Sequence, residues 1–344
     1  MTSPVSNYQG LPEIIYGTAF KFEKTAPLVE AALKAGFRAI DTAGAKGAYR
    51  EALVGEGIAA AIAGGVCTRE ELYIQTKFSP YKTGKDPLLY PYDTTSPIAS
   101  QVIESVTSSL VNLGTEYIDC LVLHSIYPSM AETLVAYRAM ESLTPDKVRS
   151  LGLSNIDLIS LRHIYETATV KPVTVQNRFT RDTTLNPIFT PGLPHPLVPW
   201  DRDVRAYCHE IGIAYAPWGM LWGSLDNLDG KGRILEEFGK RVGVSREIAC
   251  FAALRALGGW VSPLCGTTNE GRMRDTLMGL EMIKRWVGES EGNMEVWEAF
   301  MDEFKAVVDL DEGRKSDPVR GRTWIPRANG DDRRKGATAL HGEF

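Results

Sequence analysis

The chain has 344 residues, 44% of them hydrophobic and 24% charged, with a formal net charge of −5. That is ordinary globular composition with ample length for a large core, and the mild negative charge gives no electrostatic drive toward nucleic acid or an anionic membrane. Five cysteines without a C-x-x-C pair argue against a disulfide framework or a metal knuckle.

The segment IIYGT (14–18) opens a series of short, apolar, β-branched runs. In APLVEAALKAG (26–36), Leu28, Val29, Ala32 and Leu33 share one helical face that stops at Gly36. FRAIDTA (37–43) and LYIQTK (72–77) are the next strand candidates, and residues 78–98 then break the rhythm with Pro, Tyr and Thr. A helix over 99–114 lines up Val102, Val106, Leu110, Val111 and Leu113 and ends at Gly114. YIDCLVLH (117–124) reads as a strand with Cys120 as a small core hydrophobe. Ser129, with Glu132 three residues on, predicts a capping box for the helix in SMAETLVAYRAMESL. VRSLGLSN (148–155) is the fifth strand, with Asn155 or Asp157 capping a helix over 158–168. PVTVQNRF (172–179) is the sixth and leads into 180–200, which holds five prolines. GIAYAPWG (212–219), an apolar helix over 245–258 and WVSPLCGT (260–267), with Cys265 in its core, complete the series.

Eight short, nearly continuously apolar strands alternating with helices predict a (β/α)8 TIM barrel, with a doubly wound open sheet as the rival. The expected organisation is one domain over 1–312, with 78–98 and 180–200 as extended loops on the active face. A charged tail follows over 313–344, anchored by Trp324 and Ile325, that either covers that face or stays solvated. No apolar run approaches bilayer length, and MTSPVSNYQGLPE lacks the basic and apolar parts of a secretory signal. The expected location is therefore cytoplasmic.

Asp41, Lys77 and His124 each end a strand-like run, and Tyr49 follows shortly after Asp41. A β/α barrel gathers the residues after its strands on one face, where the four can form one acid–base group. Singly each has a structural reading: Asp41 capping a turn, Lys77 solvated, His124 structural, Tyr49 half-buried. Together they suit carbonyl reduction. Hydride attack builds charge on oxygen, and a tyrosine tuned by a nearby ammonium can donate to it. Asp41 would keep Lys77 charged, and His124 would hydrogen-bond the carbonyl oxygen.

These segments, with YREALVGEGI, DCLVLHS, KVRSLGLSN, VTVQNRF, IAYAPWG and GTTNEGRMRD in this order, resemble the aldo-keto reductases, and among them fungal-type members. The resemblance runs from about residue 14 to about 285. It implies a barrel that binds NADPH without a Rossmann fingerprint, and no G-x-G-x-x-G follows a strand. Carried over by position, the catalytic set is Asp41, Tyr49, Lys77 and His124. Thr18 and Asp41 join the cofactor side; Ser154, Asn155 and Gln176 hold the nicotinamide carboxamide, with Tyr215 stacked on the ring and Trp218 near it. Thr267 and Arg272 take the 2′-phosphate, for which a planar, permanently charged fork is suited. Two features depart from the pattern. Tyr49 lies eight positions after Asp41 rather than five, though it is the only tyrosine in the stretch. Gly266 stands where a phosphate-binding Lys is usual, and Thr276 where an adenine-reading Asn is usual. Arg274 is the candidate to compensate, and weaker discrimination against NADH is expected.

Phe20, Tyr81, Tyr90, Phe179, Trp218 and Trp222 are candidate pocket aromatics, favouring an apolar or aromatic aldehyde or ketone over a small charged acid. By analogy, a secondary-metabolism carbonyl fits a fungal-type member. Two rival readings remain. One is a regulatory or binding barrel resembling the potassium-channel β subunits; the other is a barrel enzyme with a phosphate loop at GTTNEG.

Overall fold

The computed structural model describes residues 12–183, 198–222, 224–258 and 260–309. The tail over 313–344, and residues 184–197 of the second long loop, lie outside the described residues.

Eight parallel strands form one sheet in the order β7-β6-β5-β4-β3-β2-β1-β8. They are β1 (Ile15–Gly17), β2 (Ala39–Asp41), β3 (Tyr73–Phe78), β4 (Cys120–Leu123), β5 (Leu151–Ser154), β6 (Thr174–Gln176), β7 (Ala214–Tyr215) and β8 (Leu264–Cys265). The seam between β7 and the approach to β8 closes through backbone bonds. Tyr215 N–H donates to the Trp260 carbonyl at 3.0 Å, Ser262 N–H to Tyr215 at 2.9 Å and Leu264 N–H to Pro217 at 3.0 Å. The result is the expected (β/α)8 barrel.

Side chains alternate between the barrel interior and the helical layer. The interior is tight. A Cβ on Gly152 would come within 2.7 Å of Thr174 Cγ2 and 3.0 Å of Val122 Cγ2, so only glycine fits that layer. Ile15, Ala39 and Ala216 form a small inner cluster against Tyr73 and Leu264, while Tyr16, Ile40, Ile74, Val175 and Tyr215 belong to the large core between strands and helices. This parity decides which residues reach the active face. From Ala39, Tyr73, Val122, Gly152, Thr174 and Ala216, steps of two arrive at Asp41, Gln75 and Lys77, His124, Ser154, Gln176, and Trp218.

The helices are α1 (Thr25–Ala35), α2 (Glu51–Ala63), α3 (Ile98–Leu113), α4 (Met130–Glu141), α5 (Leu158–Thr167), α6 (Arg202–Ile211), α7 (Leu225–Asp229), α8 (Ile234–Val242), α9 (Arg246–Arg255), α10 (Glu270–Glu289) and α11 (Glu291–Asp309). Asp157 caps α5, accepting from Ile159 N–H and Ser160 N–H. The capping box expected at Ser129 does not form. Its side chain makes no cap bond, and Thr133 Oγ1 instead donates to the Ser129 carbonyl at 3.0 Å. The helix α11 packs across α8, with Phe238 and Phe300 stacked at 4.2 Å between ring centroids. Among the described residues no helix is long and apolar enough to cross a membrane.

Candidate active site

Asp41 and Lys77 sit side by side at the ends of β2 and β3, each 2% exposed. Lys77 Nζ donates to Asp41 Oδ1 at 2.6 Å, to Oδ2 at 2.7 Å and to the Thr42 carbonyl at 2.8 Å. Gln75, one inward step below Lys77, donates to Asp41 Oδ1 at 2.7 Å and to Gln176 Oε1 at 3.2 Å. Burial works against the Lys77 ammonium. The adjacent Asp41 carboxylate and Tyr49 outweigh it and hold the pKa above the usual lysine value.

Tyr49 arrives from the longer spacer after β2, which is braced along its length. Thr42 N–H donates to the Gln75 carbonyl, Gly44 N–H to Lys77, Lys46 N–H to Leu89, and Phe20 N–H to Ala48. The extra residues are thereby absorbed without moving the ring away. Lys77 Nζ lies 5.0 Å from the Tyr49 ring centroid, and the His124 ring meets Tyr49 edge-on at 5.9 Å. All four predicted catalytic residues are therefore brought together. Burial raises the Tyr49 phenol; Lys77 pulls it down by charge and hydrogen bond, Asp41 pushes it up, and the balance stays above the ordinary tyrosine value. The net lowering expected from Lys77 is thus overridden, because desolvation of the phenolate exceeds the attraction.

His124 Nδ1 pairs with Ser79 Oγ at 2.6 Å. Burial, then the charges of Lys77 and Lys82, drive its pKa well below the usual histidine value, so the ring is neutral. Ser79 was not singled out from the sequence. Its position two residues past Lys77, on the same inward parity, is the signal that could have found it. The loop over 78–98 is ordered by its own aromatics. Tyr81, Tyr90 and Tyr92 contact in series, and Tyr92 Oη donates to the Ser79 carbonyl at 2.7 Å.

On the cofactor side, Ser154 Oγ donates to the Gln176 carbonyl at 2.7 Å, and Asn155 Nδ2 to the His124 carbonyl at 2.9 Å. Asn155 is in the left-handed region at φ 51, and its Oδ1 is buried without a hydrogen-bond partner. That acceptor suits a donor from outside the chain, such as a carboxamide NH2. Thr18 is fully buried and donates its hydroxyl to the Asp41 carbonyl at 2.9 Å, fixing the end of β2. Thr267 and the exposed Arg272 stand at the loop and first turn leading into α10, where Asn269 Oδ1 caps the Arg272 N–H at 2.9 Å. Beside them is a cation that sequence reading missed. Lys21, buried, donates to the Gly266 carbonyl at 2.8 Å, at the position where a phosphate-binding Lys was expected. Burial pulls its pKa down to about 8.

Two expectations are corrected. Tyr215 is 2% exposed and donates its hydroxyl to Asp201 Oδ2 at 3.0 Å, beside α6. Strand parity turns it outward, so its ring is not presented to a ligand. Phe179 is fully buried against Trp200, with 5.2 Å between centroids, and lines no pocket for the same reason. Phe20 is 63% exposed and Trp222 54%, while Trp218, Tyr81 and Tyr90 are partly buried.

Residues 13–276 match the model of the Aldo/keto reductase family. The chain is 31% identical over 202 residues to the aldo-keto reductase AKR2E4 of Bombyx mori, covering 55% of each. It is 29% identical over 194 residues to the glyoxal reductase of Bacillus subtilis, covering 56% of each. These matches thus span little more than half the length of the curated relatives. Among solved structures, Bombyx mori AKR2E4 in complex with NADP superposes with a TM-score of 0.59 at 21% identity, covering 86% of this chain and 89% of that one. The aldose reductase of Schistosoma japonicum gives 0.62 at 19% identity, covering 88% and 92%.

Proposed function

The chain belongs to the aldo/keto reductase family, and from that premise we propose that it reduces an aldehyde or ketone to an alcohol with NADPH. The observation that carries the reading is the convergence of Tyr49, Lys77, Asp41 and His124, with the Lys77–Asp41 pair sealed from solvent. When bound, NADPH supplies the hydride. Tyr49 Oη holds a proton at neutral pH and donates it to the oxygen that gains charge. Lys77, kept charged by Asp41, stabilises the phenolate left behind. With the Ser79 hydroxyl donating to Nδ1, His124 Nε2 carries its hydrogen and orients the carbonyl oxygen.

Ser154, Asn155 and Gln176 would hold the carboxamide, the vacant Asn155 acceptor supporting that role. Thr267, Arg272 and Lys21 would hold the 2′-phosphate, and Trp218 would flank the nicotinamide in place of the outward-facing Tyr215. The partner is a small carbonyl compound with an apolar or aromatic body, for which Phe20 and Trp222 offer exposed surface.

Tryptophan fluorescence titration with NADPH and NADH tests the cofactor site, with Arg272→Ala beside the native chain. NADPH is expected to bind more tightly than NADH, and Arg272→Ala to weaken NADPH alone. In assays with 4-nitrobenzaldehyde, Tyr49→Phe is expected to lower kcat by about 10²- to 10⁴-fold while NADPH still binds. Tight NADPH binding without turnover of any aldehyde would favour a binding barrel instead.

A further inference from the structure

Gln75 is a polar residue in a layer where an apolar one would serve. It is fully buried inside the barrel, between the inward positions Tyr73 and Lys77. Its Oε1 is sealed from solvent without a hydrogen-bond partner, a cost that an apolar side chain would avoid. What the residue offers instead is its NH2, which makes two bonds. One goes to Asp41 Oδ1 on the neighbouring strand at 2.7 Å, the other to Gln176 Oε1 at 3.2 Å. The second bond crosses the barrel interior, since β4 and β5 separate β3 from β6.

The direction of each bond is forced. The Asp41 carboxylate, engaged by the Lys77 ammonium through both oxygens, only accepts. Gln75 must therefore turn its NH2 toward it, and the second N–H of that group then requires an oxygen from Gln176. The main chain of Gln176 is held separately, its carbonyl accepting from Ser154 Oγ at 2.7 Å and from Asn155 N–H at 3.2 Å. The flip of the Gln176 side-chain amide is thus set by Gln75. With the oxygen turned to Gln75, the NH2 is the part of that amide left to pair elsewhere, complementing the unpartnered acceptor Asn155 Oδ1. A carboxamide, with one acceptor and one donor group, matches such a pair.

We propose that Gln75 is a positioning residue, which ties the Asp41–Lys77 pair to Gln176 across the barrel and sets the Gln176 amide in the orientation that receives the nicotinamide carboxamide. This deepens the carbonyl-reductase reading and rests on it for the role of Gln176. Lys77, Asp41, Gln75 and Gln176 then form one hydrogen-bonded line. The residue that orients the nicotinamide is thereby registered against those that set Tyr49, which favours a reactive alignment of cofactor and proton donor.

The test compares NADPH with adenosine 2′,5′-bisphosphate, which has the adenine end of the cofactor and no nicotinamide, each titrated by calorimetry. Gln75→Met keeps the length of the side chain and removes both bonds. It is expected to weaken NADPH by about 3- to 10-fold, the range of a buried hydrogen bond, and to leave the bisphosphate Kd unchanged. Added to Gln176→Ala, it should weaken NADPH no further, because the group it positions is gone. With 4-nitrobenzaldehyde, kcat should fall by about 10-fold while the aldehyde KM holds. Gln75→Asn, too short to span the barrel but still an amide beside Asp41, should repeat the nucleotide result and guards against a folding defect in the first variant. An NADPH Kd that is unchanged in both variants, or that weakens together with the bisphosphate, overturns the proposal. So does a full further loss when Gln75→Met is added to Gln176→Ala, and aldehyde turnover by the native protein would leave the reductase reading intact in each case. A loss confined to NADPH and absent from the Gln176→Ala background, without aldehyde turnover by the native protein, supports the tie and defeats the reductase reading.

Discussion

The Lys77–Asp41 pair sets the chemistry and carries an energetic risk. Both charges are almost fully withdrawn from water, and the pair is compensated by Gln75 and the Thr42 carbonyl. Such a pair contributes little beyond an apolar isostere, but removing one member strands the other. Lys77→Met is therefore expected to destabilise the fold by about 3–5 kcal/mol in urea unfolding, beyond abolishing activity. Adding Asp41→Asn should recover much of that loss, because the stranded charge is gone. A Lys77→Met protein as stable as the native one would mean that Asp41 finds water or protonates cheaply. The residue types of this site were legible in the sequence, since Asp41, Lys77 and His124 end apolar runs. Tyr49 was less so, because its spacer is long and only the backbone bonds to Gln75, Lys77 and Leu89 explain how it returns.

At the level of elements, all eight strands were legible, but their paired extents are shorter than the apolar runs. GIAYAPWG contributes only Ala214–Tyr215 to the ladder, and WVSPLCGT only Leu264–Cys265. The remaining residues of those runs are apolar because they enter the core or cross the seam. The two site errors, Tyr215 and Phe179, are failures of parity. Each lies one step from an inward residue, Ala216 or Arg178, and a family position does not reveal which way a side chain turns. The adenine-side cation was misplaced for another reason. Gly266, just after β8, looked like a missing charge, whereas the loop after β1 brings Lys21 to the Gly266 carbonyl. A burial-depressed Lys21 is charged below about 8 and neutral above it in the free protein. The preference for NADPH over NADH should accordingly begin to decline as pH rises through about 8. The decline would continue toward the higher pKa that a bound phosphate imposes. Lys21→Met should lower the preference at pH 7 and flatten its pH dependence. An unchanged Kd ratio across that range would remove Lys21 from the phosphate site.

At the scale of the whole molecule, stability is shaped by an acid the chemistry does not use. Asp201 enters α6, buried against the back of β7, where the Tyr215 hydroxyl donates to it at 3.0 Å. Burial, then the neighbouring Asp203, raise its pKa from 3.8 to about 7, against the opposing pull of Asn177, Tyr215 and Arg205. Between those two values the folded state binds a proton that the unfolded chain has released. Stability from this group is then complete below about pH 4 and is lost as pH rises through about 7. At about 1.4 kcal/mol per unit, the loss amounts to a few kcal/mol at most. Glu51, raised by its own burial, slopes the same way, and His124, driven down, slopes the opposite way, so the native profile alone does not isolate Asp201. The difference profile does. Asp201→Asn keeps an acceptor for Tyr215 and removes the titration. It should leave stability near pH 4 almost unchanged and raise it progressively toward pH 8, read as the urea midpoint at each pH. A difference that is flat across this range would mean that Asp201 is already ionised at acid pH, with its charge met by Arg205 and the start of α6.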